Sequence, residues 1–265
     1  MVSKNGKRRH VTDLNGEHAL AFLRHRPKDK KFALTVAFYA THAMDNAYPP
    51  YQPMNESFAL YVNDTIIDEL KEQGVYNNTL LVFTTDNGVS HGEHGLAEKG
   101  YPFEESIKVP LVIQDPRMPD SAKGTRNGDF TLSVDIAPTL LSAANIPVPK
   151  FMQGRDIAQL YLDTENAART WRQDFFYEWA QGDPITAEGS MPYFQVPAVF
   201  ALIGKDYKYF YWPQTRYEQL FRIESDPYEE NDILNSTAQT TQQALHMMRA
   251  RYVFLKKWAQ SGNPV

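Results

Sequence analysis

Three short runs of nearly unbroken apolar character, at 32–40, 80–85 and 109–113, constrain this chain most. Such runs are too apolar for half-exposed strands, and their length and flanking polar turns predict strands buried on both faces. Helical spacing surrounds them. A Thr12-Asp13 pair opens a segment with Leu14, Ala19, Leu20, Phe22 and Leu23, which predicts a helix over 11–23. Leu60, Ile66, Ile67 and Leu70 predict another over 57–72, stopped by Gln73-Gly74. Strands alternating with helices imply a parallel sheet with helices on its faces. A further helix is expected over 131–144, with Pro138 marking a break or a first-turn position.

After Met152 the pattern changes. Aromatic runs at 174–179, 198–203, 207–212 and 219–223, separated by Gly, Pro and Asp, predict an antiparallel sheet. A last helix over about 237–259 carries Leu245, Met248, Tyr252, Leu255 and Trp258 as one apolar stripe. The expected architecture is therefore α/β: a partial parallel-type sheet flanked by helices in 1–165, then a small antiparallel β-sheet with a helix in 166–265.

Composition narrows the function classes. The chain is 42% hydrophobic, enough for a folded core. Its net charge of −5 supplies no global positive field, which argues against nucleic acid as a partner. Lys4, Lys7, Arg8 and Arg9 read as solvated charge at a chain end. No apolar run approaches the roughly 18 residues of a membrane span, and the first residues lack the apolar core of a signal peptide. Zero cysteines exclude disulfides, thiolate metal sites and a cysteine nucleophile. Sequons at Asn55, Asn63, Asn77 and Asn235 are too short a signal to fix a compartment, which stays open.

Ligands of parallel α/β sheets bind beyond the carboxyl ends of the strands, so polar residues just after a buried strand are the first candidates. His42 follows the first run and Asp86-Asn87-Gly88 the second. Asp86 and Asn87 offer carboxylate and amide oxygens suited to a hard cation, and Gly88 permits a tight turn or a close backbone approach. On local spacing alone, Asn-Gly is better read as a turn, and a lone histidine as structural. The connection between the second and third runs exceeds twenty residues, long enough to suggest a functional loop.

Read continuously, Leu80-Leu-Val-Phe-Thr-Thr-Asp-Asn-Gly-Val-Ser-His-Gly-Glu-His-Gly-Leu-Ala-Glu-Lys-Gly100 followed by Pro102-Phe-Glu-Glu-Ser-Ile-Lys-Val-Pro-Leu-Val112 closely resembles the type I sulfatases of the alkaline phosphatase superfamily. Ser133-Val-Asp-Ile-Ala-Pro-Thr-Leu-Leu141, Gln153-Gly-Arg155 and the stretch from Gln219 to Asn231 extend the resemblance over most of the chain. The resemblance implies a Ca2+-dependent hydrolase of sulfate esters on carbohydrates or aryl alcohols. In it, Asp86 and Asn87 look like metal ligands, Lys99 like the lysine that holds a sulfate oxygen, and His42 like the histidine that contacts sulfate or protonates the leaving oxygen. His91 and His94 stand at substrate-side positions or orient their loop, and Glu93 and Glu98 read as loop charges. Phe176, Tyr177 and Glu178 could reach a sugar ring, with core packing the simpler reading for the two aromatics.

The family's other parts are an Asp-Asp metal pair, a Cys-x-Pro-x-Arg or Ser-x-Pro-x-Arg segment that becomes formylglycine, and a Lys-x-His pair. None occurs in this sequence. The expectation is a partial sulfatase, corresponding to the carboxyl-terminal portion, inactive alone and completed by a missing N-terminal half. Competing expectations are a non-catalytic protein that binds sulfate or sulfated glycans, and a metal-dependent phosphodiesterase-like hydrolase. Asp-Asn, where two zinc ions would favour Asp-His, weighs against the last.

Overall fold

The computed structural model describes residues 2–4, 7–9, 11–38, 59–180 and 196–261. They fall into two compact units, Met1–Thr79 and Leu80–Val265.

The first unit opens with a hairpin of β1 (Val2–Lys4) and β2 (Lys7–Arg9), so the basic run lies in and around a short antiparallel ladder. Helices α1 (Val11–His25) and α2 (Ala59–Glu72) follow, as the spacing predicts. They are tied by Arg24 donating to Glu69 at 2.6 Å and by the Gln73 amide donating to the Leu23 carbonyl at 2.9 Å. Gly74, at φ +69°, ends α2 because its left-handed backbone lets Val75 N–H reach the Leu70 carbonyl. The buried strand expected over 32–40 is not found: its described part, 32–38, forms no strand and is largely exposed. That part lies along α1 instead. The Phe32 ring meets Phe22 and the Arg26 guanidinium, and the Asn15 amide holds the Ala37 carbonyl at 2.7 Å.

The second unit begins with β3 (Leu81–Thr84). A loop carrying the two-residue strands β4 (Ser90–His91) and β5 (Ala97–Glu98) and the single-turn helix α3 (Glu104–Ile107) leads to β6 (Leu111–Gln114). Here the sequence reading needs correction: β3 and β6 pair antiparallel, Phe83 opposite Val112. Parallel pairing needs a crossover of a dozen or more residues packed across the sheet, usually a helix. This connection contains only one α-helical turn and one 3-10 turn, Glu93–Gly95, neither of them a helix that could cross the sheet, so the chain simply comes back. Nor are these strands buried on both faces. Leu111 and Ile113 pack on Ile157, Leu160 and Trp171, whereas Phe83 and Val112, on the opposite face, are 53% and 60% exposed.

Helix α4 (Ile136–Ala143) puts Pro138 in its first turn, where a missing N–H costs no hydrogen bond. Two short helices, α5 (Gln159–Leu162) and α6 (Thr164–Thr170), supply Leu160 and Ala167 to the layer over β6, and the flanking Ile157 and Trp171 complete it. The antiparallel sheet then appears as predicted: β7 (Asp174–Trp179), β8 (Val199–Gly204), β9 (Tyr207–Trp212) and β10 (Tyr217–Arg222), in the order β10-β9-β8-β7. Helix α7 (Gln239–Ser261) closes the chain.

Period-2 geometry sends Phe200 and Leu202 of β8 to one face, and Ala201 and Ile203 to the other. The first face packs with Tyr209, Leu220 and the α7 residues Leu245, Tyr252 and Leu255. The second packs with Phe210, Phe221 and Phe103 of the preceding loop. Both faces are covered, so β8 is buried at five of its six positions. Phe176 and Tyr177 belong to these two clusters, and burial pushes the Tyr177 hydroxyl up to about 12. The packing reading of these aromatics is the one that fits. No helix among the described residues is long and apolar enough to cross a membrane.

Candidate active site

Asp86 lies two residues past the carboxyl end of β3, where the sequence reading puts it. Burial works against its charge, but the Asn87 backbone N–H, the Thr85 hydroxyl and the charge of Lys99 prevail and lower its carboxyl below the ordinary value. The N–H of Asn87 is 2.9 Å from Asp86 Oδ1, and the Thr85 hydroxyl is 3.2 Å from the same oxygen. The Asn87 amide nitrogen donates to the Gly88 carbonyl at 2.8 Å, which leaves its Oδ1 outside that bond. Lys99 follows β5 and is half-buried, and its charge is felt at Asp86. The end of β3 thus carries a carboxylate and an amide side by side, and the Lys99 ammonium after β5 acts on that carboxylate through its charge.

Gly88 shows why this turn requires glycine. Its N–H donates to the Ser106 carbonyl at 2.9 Å, and a Cβ placed on it would sit 2.0 Å from the Glu105 carbonyl oxygen. The obstacle is backbone, which cannot swing aside. Gly88→Ala is expected to lower stability by about 1–3 kcal/mol, the range for forced overpacking, and to push the turn at residue 88 away from α3. Chemical denaturation of the variant reads the first effect. An unchanged midpoint would show that the contact is not this tight.

The two loop histidines differ. His91 is exposed, and its N–H donates to the Glu93 carboxylate at 2.6 Å; Glu93 is held below its usual range by its own and the His91 backbone N–H groups. His94 takes a left-handed backbone, φ 55°, and stacks on Phe103 at 3.8 Å between ring centroids. Its Nε2 is 3.5 Å from Glu105. That environment holds the loop in shape while one edge of the ring faces a cleft. His42, the remaining candidate, lies outside the described residues.

Sequence reasoning missed two features. One is the cleft itself, of about 620 Å³, lined by His94, Tyr101, Trp212, Gln214, Tyr217 and Asp232 among others. The run of aromatics over 207–212 was its only signal. The other is a buried charge cluster in which Lys208 of β9 lies 2.5 Å from Glu104 and 3.0 Å from Glu229. It anchors α3, and so the floor of the Gly88 turn, to the antiparallel sheet.

As for a metal, Asp86 and Asn87 fit as part of a donor set, with two oxygens where calcium takes six to eight. Among the described residues no group of three or more His, Asp or Glu side chains could hold an ion.

The chain is similar to known sulfatases in sequence and in fold. The family model described as "Sulfatase" matches residues 4–146, and one described as "N-sulphoglucosamine sulphohydrolase, C-terminal" matches 92–254. An arylsulfatase of Clostridium perfringens is 33% identical over 168 residues, covering 63% of this chain and 32% of that enzyme. An N-acetylglucosamine-6-O-sulfatase of Bacteroides thetaiotaomicron is 28% identical over 170 residues, 63% of this chain and 28% of the enzyme. The chain thus spans a third or less of the length of these relatives. A solved structure of a protein bound to its substrate D-glucosamine-2-N,6-O-disulfate superposes with a TM-score of 0.57 at 24% identity, over 75% of this chain and 40% of that one. The last match speaks for the fold alone.

Proposed function

The chain belongs to the sulfatase family, and from that premise we propose that it forms the sulfate-holding and leaving-group side of a sulfuric ester hydrolase acting on sulfated carbohydrates or aryl sulfates. The observation that supports this reading is the placement of Asp86 and Asn87 just past the carboxyl end of β3, with the charge of Lys99 helping to lower the Asp86 carboxyl. The relatives named for aryl and glucosamine sulfates support the substrate class.

In this reading Lys99 binds a non-bridging sulfate oxygen, a charge-assisted contact that strengthens as negative charge builds on the transferring group. His42 donates a proton to the leaving alcohol oxygen. His91 and His94 border the substrate, His94 with its ring fixed by Phe103. Asp86 and Asn87 would hold Ca2+, which supplies further positive charge at the sulfate when bound. The nucleophile comes from outside these 265 residues, since no Cys-x-Pro-x-Arg or Ser-x-Pro-x-Arg segment occurs among them. A partner or an additional segment that carries formylglycine would provide it. We read 1–165 as the share of the catalytic α/β domain and 166–265 as the smaller subdomain, a division supported by the antiparallel sheet beginning at Asp174.

Two measurements test this. Calorimetry with inorganic sulfate should show binding that weakens roughly 10- to 100-fold in Lys99→Ala, the effect of one charged hydrogen bond. The chain alone should turn over no fluorogenic aryl sulfate, for want of a nucleophile. Sulfate binding indifferent to Lys99 would remove the anion site. Robust turnover lost in Lys99→Ala would show a nucleophile within the chain.

A further inference from the structure

We propose that the cleft between the 93–103 loop and the β9–β10 hairpin is a saccharide subsite that takes an uncharged pyranose ring and disfavours one bearing sulfate or carboxylate. This deepens the preceding reading and rests on it only for where the sulfated end of the ligand lies.

The lining has the two surfaces a pyranose needs. Sugar rings present apolar C–H faces and a rim of hydroxyls, so they are held by aromatic faces combined with amide and hydroxyl groups. Tyr101 and Trp212 stand 6.5 Å apart at 51°, two non-parallel aromatic walls. The indole N–H of Trp212 donates to Gln219 Oε1 at 2.9 Å, which fixes the ring plane before any ligand arrives. Tyr217, half-exposed, is steadied by donating its hydroxyl to Asp232 at 3.1 Å. Gln214 lies on the exposed turn between the two strands, where its amide can meet ring hydroxyls as acceptor through the carbonyl oxygen and as donor through the NH2. The cleft's size, about 620 Å³, lies within the roughly 300–1,000 Å³ usual for small-ligand sites.

Charge decides which ring. The described lining contains Glu229, Glu230 and Asp232 and no Lys or Arg. Glu229 shares its charge with Lys208, but the other two carboxylates face the cleft without such a cation in the lining. An anionic ring would meet like charge there. Tyr101 stands two residues beyond Lys99. If the sulfated end of a ligand lies at Lys99, as the preceding reading has it, the ring that enters this acidic, aromatic cleft is the unsulfated one.

Saturation-transfer NMR on the 265-residue chain tests this, with cellobiose as the neutral probe and digalacturonate as the anionic one. Cellobiose ring protons should receive saturation, reduced about fivefold or more in Trp212→Ala and in Tyr217→Ala, and unchanged in Lys99→Ala. Digalacturonate should give a signal several-fold weaker, rising in Glu230→Gln. Should Trp212→Ala prove unfolded by circular dichroism, Gln214→Ala on the exposed turn carries the test, with a reduction of roughly threefold expected. No transfer to cellobiose, equal transfer to digalacturonate, or indifference to Tyr217→Ala and Gln214→Ala would overturn the subsite. Sulfate binding by calorimetry reads the Lys99 end separately. Its loss with the cellobiose signal intact would count against the anion site alone, and the reverse against the subsite alone.

Discussion

Replacing Lys208 by methionine is expected to lower the unfolding free energy by about 3–5 kcal/mol, the range for breaking a buried ion pair from one side. Lys208 is 1% exposed and Glu229 2%, while Glu104 keeps a partly exposed side chain. One ammonium serves both carboxylates, and Glu229 also accepts the Glu104 backbone N–H at 2.8 Å. Without the lysine, two carboxylates would face each other in a poorly solvated site.

The pH dependence separates this effect from a simple packing defect. Burial raises the Glu229 carboxyl, and Lys208 only partly offsets it; Glu104 ends below its usual value, despite its own desolvation, through Lys208 and Lys108. Glu229 is therefore the group that takes the proton as pH falls. A carboxyl whose folded pKa is raised contributes stability below its unfolded value and loses it as pH rises through the folded one. Losing Lys208 raises Glu229 further, so the deficit of Lys208→Met should be larger at pH 8 than at pH 5. Guanidinium denaturation at both pH values measures it. A deficit equal at the two would mean that lost side-chain packing, not charge, holds this junction. Adding Glu104→Gln and Glu229→Gln to Lys208→Met should recover much of the loss.

That cluster also marks the limit of what the sequence discloses. A lysine between Tyr207 and Tyr209 reads as the solvent-facing member of an alternating strand, yet it shares a face with the buried Phe210. Its partners stand 104 and 21 positions away, so no local pattern reveals them. The antiparallel sheet and α7 were legible because alternation and helical spacing are local properties. The direction of β6 against β3 was not: an apolar run specifies burial, whereas direction depends on how the chain returns. Likewise 32–38 had a strand's composition but found its contacts along α1. At the site, local spacing put Asp86 and Asn87 just past a strand but left them readable as a turn, and Lys99 was singled out only by the family resemblance. The cleft was not legible, because its walls come from a loop and a hairpin more than a hundred residues apart.

Two stretches that gave the family resemblance without evident chemistry, Ser133 to Leu141 and Gln153-Gly-Arg155, meet at Asp135. This carboxylate is fully buried. It accepts the backbone N–H of Leu132 and of Arg155, each at 2.7 Å, and N–H groups from the two terminal guanidinium nitrogens of Arg172, one of them at 2.7 Å. Thr139 extends the knot, donating its hydroxyl to the Asp135 carbonyl and accepting the Ile157 N–H. Gly154 is obligatory beside it, since a Cβ there would lie 1.9 Å from the Val134 carbonyl oxygen. Asp135→Ala leaves the Arg172 guanidinium buried without its counter-ion and two backbone donors unsatisfied, so a loss of about 3–5 kcal/mol is expected. Asp135→Asn should lose less: one amide oxygen still accepts N–H groups, while the amide nitrogen confronts Arg172 as a second donor. Arg172→Met, which leaves Asp135 its two backbone donors, should fall below Asp135→Ala in cost. The double variant should cost less than the two singles added, because each single strands a group that the other removes. Urea denaturation of the four proteins gives the coupling directly. Strict additivity, or a loss below about 1 kcal/mol in Asp135→Ala, would mean that the two stretches are held together by the packing of Ile157 and Trp171 instead.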